Sequence, residues 1–209
     1  LYFSTPPPDG HHLLLTCIVA GPTKAGKTTF VCELLKNVKH FIDPPPKHIW
    51  WFYAEAQKFY ENLKNEVIFV KGVPNVSIVR ENSQEPQLII IDDLMHEANN
   101  DILFTRGCHH WNISVINIVQ NIFYKGLRTS RINAEYLVLM KNPSDRLQVQ
   151  TLARQLFPHN SKYLLEAYND ATEIPFSYLL IDLTQATPEK FRIRANIFSP
   201  RPVVYTQKL

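Results

Sequence analysis

The sequence predicts an α/β fold, with a mainly parallel sheet sandwiched by helices and a hairpin closing its C-terminal edge. Three observations predict it. Apolar runs of strand length alternate with amphipathic helical stretches along most of the chain, and such alternation builds parallel sheets from right-handed crossovers. Several of those runs are continuously apolar, as central strands buried on both faces require. The last two runs are separated only by residues 184–190, with no helix between them, so they pair as an antiparallel hairpin at one edge.

In chain order, the first strand is expected at 13–20, an apolar run ending in a glycine. A helix over 28–38 follows, with Phe30, Val31, Leu34 and Leu35 on one face. The run Trp50-Trp51-Phe52-Tyr53 lies in a strand at 48–53, and an aromatic core strand explains it better than base stacking. Helical patterns at 55–63 and 101–108 bracket strands at 67–70 and 88–91. Strands at 113–119 and 136–140 come next. Two helices follow, at 146–157 and 162–171, with Asp145 and Ser161 as expected N-caps. Strands at 178–183 and 191–198 complete the set. Pro44-Pro45-Pro46 reads as a stiff loop, not a boundary. Residues 1–10 form an extended N-terminal arm or a tag remnant, and 11–209 a single domain.

Composition excludes several classes. At 209 residues, with 45% hydrophobic and 20% charged residues, the chain is an ordinary globular one, not a tail or a fibre. Its net charge of +3 is too weak to name a partner. Cys17, Cys32 and Cys108 are odd in number and far apart, which excludes a disulfide framework and fits buried thiols in a reducing compartment. No apolar run reaches the ~18 residues that span a bilayer, and no signal-peptide pattern opens the chain. The expectation is an intracellular protein, neither membrane-bound nor secreted.

The most specific motif is Gly21-Pro22-Thr23-Lys24-Ala25-Gly26-Lys27-Thr28, which matches GxxxxGK[ST] in full. It lies between an apolar strand and an amphipathic helix, as a phosphate-binding P-loop (Walker A) must. Backbone N–H groups there make an anion cradle. Residues 21–29, Thr29 included, are the expected nucleotide contacts. Lys27 bridges the β- and γ-phosphates of ATP, and the Thr28 hydroxyl ligates Mg²⁺.

Two further motifs complete a hydrolytic set. Leu88-Ile89-Ile90-Ile91-Asp92-Asp93 is a Walker B arrangement, with Asp92 holding Mg²⁺ and Asp93 polarising the attacking water. Glu97, one helical turn on, is the second candidate base; Asp93 is preferred for its place beside the metal ligand. The strand at 113–119 ends in Gln120-Asn121, and Gln120 is placed to sense the γ-phosphate or orient water. The expected fold is therefore an α/β P-loop NTPase of the ASCE, RecA-like kind.

With these motifs in place, the chain resembles the FtsK–HerA superfamily of P-loop motors. Within it, the chain is similar to the poxvirus-type DNA-packaging ATPases of large DNA viruses, virophages and Maverick/Polinton elements, nearest the adintovirus branch. The P-loop and Ile91-Asp92-Asp93-Leu94-Met95 carry the resemblance, with Leu103-Phe104-Thr105-Arg106-Gly107, Gln120-Asn121, Lys141-Asn142-Pro143 and Arg194-Ala195-Asn196-Ile197-Phe198. It spans about residues 13–205. Lys24 departs from the family, which favours small or polar residues there. The resemblance implies a sheet ordered 5-1-4-3-2, counting the P-loop strand first. It also implies a homo-oligomeric ring, hexamer or pentamer, that drives double-stranded DNA into a capsid at a portal vertex inside an infected cell, in nucleus or cytoplasm.

A ring of this type takes an arginine from the neighbouring subunit to meet charge on the γ-phosphate. Arg106 and Arg131 are equal candidates, with Arg128 a third; Arg128 and Arg131 are expected in an exposed loop. Residues 121–162 carry seven basic and two acidic side chains, a local net of +5. Lys125 and Arg128 are the expected DNA contacts, gripping phosphates without reading sequence. Adjacent His109 and His110 lack metal-ligand spacing and are expected to end a helix. Two rivals remain. A small-molecule kinase is disfavoured by the Asp92-Asp93 pair and the lack of an Arg-rich lid; a nucleotide-gated assembly module would bind ATP without productive turnover. The absence of an NKxD motif argues against a GTPase.

Overall fold

The computed structural model describes residues 15–94 and 101–207. Among them, nine strands form one sheet: β1 (Thr16–Ala20), β2 (His48–Tyr53), β3 (Ile68–Lys71), β4 (Gln87–Asp92), β5 (Ile113–Val119), β6 (Tyr136–Met140), β7 (Tyr178–Asp182), β8 (Ile193–Ala195) and β9 (Val203–Tyr205). Their order is β3-β2-β4-β5-β1-β6-β7-β8-β9. The pairs from β3 through β6 are parallel, and those from β6 to β9 antiparallel. The run β6-β1-β5-β4-β2 is the 5-1-4-3-2 order that the resemblance implied, with β3 added outside it.

Strands β1, β4, β5, β6 and β7 are buried at every residue, so their continuous apolar runs have a direct cause. Each face must be dry. One face, with Val19, Ile90, Ile116 and Val138, packs on Phe30, Val31 and Leu34 of α1 (Lys27–Lys36). The other, with Ile18, Ile89, Val115 and Leu137, packs on Leu152 of α6 (Arg146–Leu156) and Leu164 of α7 (Ser161–Ala171). The shorter helices are α2 (Val38–Phe41), α3 (Val76–Glu81), α4 (Cys108–His110) and α5 (Arg128–Asn133).

Two helices, not one, connect β6 to β7. A single crossover helix carries the chain back to the far end of a sheet, whereas an αα pair returns it to the end it left. β7 therefore starts where β6 stops, with Tyr178 opposite Met140. Asp145 caps α6 as expected, its carboxylate accepting from Gln148 N at 3.4 Å. Ser161 does not cap α7: Asn160 occupies the cap position without a side-chain bond to the helix, and Ser161 is the first helical residue. The stretch 55–63 forms a 3₁₀ helix over Lys58–Leu63 rather than an α-helix. The pattern at 101–108 holds a π-helical turn, Leu103–Gly107, running into α4. Helices α3 and α5 and strand β9 are too short to leave a periodic signal. Glu97 and the arm at residues 1–10 lie outside the described residues.

The C-terminal hairpin is locked by Asp182, which is fully buried. Its Oδ2 accepts from Arg194 Nη2 at 2.6 Å and Thr187 Oγ1 at 2.8 Å. Its Oδ1 accepts from the Thr184 N–H at 3.0 Å and hydroxyl at 2.7 Å. Cys17 and Cys108 are buried and Cys32 half-buried, all as free thiols. Burial raises all three, Cys32 to about 11 and Cys108 to about 12, so none is a ready nucleophile.

Candidate functional site

β1 delivers the chain to the centre of the sheet's C-terminal edge, where the glycine loop begins. The Gly21 N–H donates to Val119 O at 3.1 Å. A Cβ at Gly21 would lie 2.6 Å from Met140 Cβ, so only glycine lets β1 turn there beside β6. Gly26 ends the loop at φ +104°, a left-handed conformation that side chains resist. Lys24 also takes a positive φ, +64°. Gly26 stands at the N-cap of α1 with no side-chain cap, which leaves the helix's first N–H groups to an anion.

Lys27, the first residue of α1, folds back over the loop. Its Nζ donates to Gly21 O at 2.7 Å and Pro22 O at 2.9 Å. Burial lowers its pKa, while Asp93 and Asp92 act in the opposite sense.

Asp92 ends β4 and is nearly buried. Its Oδ2 accepts from Trp51 Nε1 at 3.3 Å, Gln57 Nε2 at 3.4 Å and Tyr60 OH at 3.5 Å. Burial raises its carboxyl pKa, and the Trp51 bond leads the opposing effects. Sequence reasoning placed Trp51 in the core, where it is, fully buried on β2, but missed its indole reaching Asp92. Gln57 and Tyr60 were missed too. Gln57 precedes and Tyr60 lies in the 3₁₀ helix after β2, and nothing local in their sequence marks them.

Asp93 differs from its neighbour. It is exposed, at φ +55°, with its N–H donating to Ile118 O at 3.2 Å. Gln120, at the tip of β5, donates Nε2 to both Asp93 oxygens, at 3.2 and 2.9 Å. Strands β4 and β5 are adjacent and parallel, which brings the two tips together. A cleft of about 440 Å³ gathers residues 23–29 with Gln57, Asp92, Asp93, Gln120 and Phe176. The Thr28 hydroxyl and the Asp92 carboxylate are the oxygen donors suited to a hard cation such as Mg²⁺. Loop amides and Lys27 suit a polyphosphate beside it.

The remaining candidates stand away from the cleft. Arg106 is exposed on the π-helical turn. Arg131 is not in an exposed loop. It belongs to α5, with its guanidinium 4.6 Å over the Phe123 ring and Nη1 donating to Gln155 Oε1 at 2.9 Å. Arg128 opens the same helix, and Lys125 opens the 3₁₀ turn before it; both are exposed. His110 ends α4 and is exposed.

No protein-family model matches the chain, and no curated protein sequence does either. Solved structures do. B204, the DNA-packaging ATPase of Sulfolobus turreted icosahedral virus, aligns over 86% of this chain and 95% of its own, at TM-score 0.56 and 10% identity. The genome packaging NTPase B204 of Sulfolobus turreted icosahedral virus 2, in complex with ATP-gammaS, aligns over 92% and 97%, at TM-score 0.53 and 10% identity. The cytoplasmic domain of the Thermomonospora curvata type VII secretion ATPase EccC aligns over 81% of this chain and 24% of that one, at TM-score 0.53 and 11% identity. The fold is that of these P-loop ATPases.

Proposed function

We propose that the chain is an ATP-hydrolysing motor of the FtsK–HerA superfamily, of the poxvirus and Polinton kind, that drives double-stranded DNA into a viral capsid. The observation that carries this is the meeting of the glycine loop, Asp92, Asp93 and Gln120 in one cleft. Lys27 exchanges the Gly21 and Pro22 carbonyls for β- and γ-phosphate oxygens. Thr28 and Asp92 would hold Mg²⁺, which would supply positive charge to offset that of the phosphates. Trp51, Gln57 and Tyr60 occupy one Asp92 oxygen and so fix the carboxylate while leaving the other oxygen to serve as a ligand. Asp93 takes the proton of the attacking water once Gln120 turns from it to the γ-phosphate.

The motor acts as a ring of copies in the infected cell, with Arg106 or Arg131 of one copy reaching its neighbour's cleft. Lys125 and Arg128 grip phosphates, and the capsid's portal vertex receives the ring. No described helix is long and apolar enough to cross a membrane. The gated-module reading has one observation in its favour: Gln120 engages both Asp93 oxygens, which takes up part of the base's acceptor capacity.

The test is ATP hydrolysis with and without long duplex DNA, for wild type and Asp93→Asn. Turnover stimulated by DNA and reduced about 100-fold or more in the variant supports the motor. ATP binding without turnover supports the gated module. Phosphate transfer to a nucleoside overturns both.

A further inference from the structure

One flank of the cleft has no polar chemistry assigned to it. Asp92, Asp93, Gln120 and Gln57 all lie on the β2–β4–β5 side of the loop. On the other side the cleft is bounded by Phe176, in the turn between α7 and β7. The residue is 65% exposed. Its backbone holds φ +67°, an uncommon state for a bulky residue and one that persists only where surrounding contacts hold it. Those contacts are visible. Ser177 N donates to Ile174 O at 3.2 Å, and Lys141 Nζ donates to Glu173 O at 3.2 Å. Gly26 lies so close that a Cβ there would meet Phe176 Cβ at 3.2 Å and its Cα at 3.3 Å. The glycine thus serves the loop's φ and also the approach of this turn.

The geometry assigns Phe176 as the platform on which the nucleobase stacks; the assignment rests on the proposed nucleotide site and deepens it. Two inter-strand steps, about 10 Å, separate β1 from β4, and two more separate β1 from β7. The acids and Gln120 mark the γ-phosphate end. A triphosphate lying along the loop therefore puts its base on the β7 side, against an open aromatic face held there at the expense of burial. Stacking on a bare ring is worth a few-fold to a hundred-fold in affinity and discriminates poorly among bases. Among the described residues, every polar side chain lining the cleft belongs to the loop, the first turn of α1 or the acid flank. The site therefore takes nucleoside triphosphates in general, selecting the triphosphate over the base.

Binding of Mg-ATP, Mg-GTP and Mg-tripolyphosphate by titration calorimetry tests this, with the full chain as wild type, Phe176→Ala and Phe176→Trp, alongside turnover. Tripolyphosphate has the phosphates and no base. We expect wild-type ATP and GTP affinities within about threefold, and about tenfold weaker binding of both in Phe176→Ala, equal to about 1.4 kcal/mol. Tripolyphosphate affinity stays unchanged, and Phe176→Trp restores nucleotide binding. Unchanged ATP affinity in Phe176→Ala overturns the platform and leaves the motor standing. Equal weakening for tripolyphosphate also overturns it, since Phe176 then only props Gly26. Base-dependent binding without turnover upholds the platform and overturns the motor. No binding of any ligand by the wild type overturns both.

Discussion

Three acids of the sheet show how environment, not residue type, sets a carboxylate's work. Asp92 and Asp93 are adjacent, yet one is buried under three donors and the other is exposed against an amide. The sequence reading expects distinct roles for them, metal ligand and base. Trp51, Gln57 and Tyr60 were not readable, since a side chain's distant partner leaves no local trace. Glu135 is the third acid. Its Oε2 accepts from Thr16 N at 3.3 Å and Thr16 Oγ1 at 3.4 Å, and burial raises its pKa against those bonds. The folded chain thus holds this proton where the unfolded chain has lost it. The resulting stability is complete below the ordinary carboxylate value and is lost as pH rises through the raised one. Glu135→Gln keeps an acceptor and carries no charge. It should melt higher than wild type at pH 7, with the difference vanishing below about pH 4; thermal unfolding across pH measures it.

Among elements, long apolar runs were legible and short ones were not. β5 and β6 fall where their runs end, because burial at every residue favours apolar side chains, and β2 falls on its run although only Trp51 and Phe52 of it are buried. β9 is three residues long and mostly exposed, so nothing marks it. The hairpin of β7 and β8 was expected from its short connection, but its lock was not. Asp182 and Arg194 are twelve residues apart and meet only because β7 and β8 pair. Removing one partner strands the other's charge in the interior. Asp182→Ala should cost about 3–5 kcal/mol, read as a lower denaturant midpoint with the slope preserved. Because β7 also carries the turn that presents Phe176, the variant should weaken nucleotide binding as well.

Across the whole molecule, the local charge of +5 does not translate directly into a DNA-facing surface. Arg131 is spent on Phe123 and Gln155, Lys141 on Glu173, and Lys162 on Glu166 at 3.3 Å. Lys125 and Arg128 remain exposed at the start of the segment between β5 and β6. If they contact phosphates, each releases about one counterion, so alanine at both should lower the salt slope of duplex binding by about 2. Anisotropy titrations on random-sequence duplex at several salt concentrations check this. An unchanged slope places the DNA contact elsewhere.

Residue order alone was enough for the loop, the acids after β4, the glutamine after β5 and the run of strands, because each is a local pattern read by near neighbours. Sheet order needed the resemblance, and the folded chain bears it out. Other features exist only after folding: the donors around Asp92, the grip of Gln120 on Asp93, the place of Arg131, and Phe176 beside Gly26. They join residues 8 to 150 positions apart. Such contacts arise from strand adjacency and the αα return between β6 and β7, which are properties of the packed sheet and not of any segment in it.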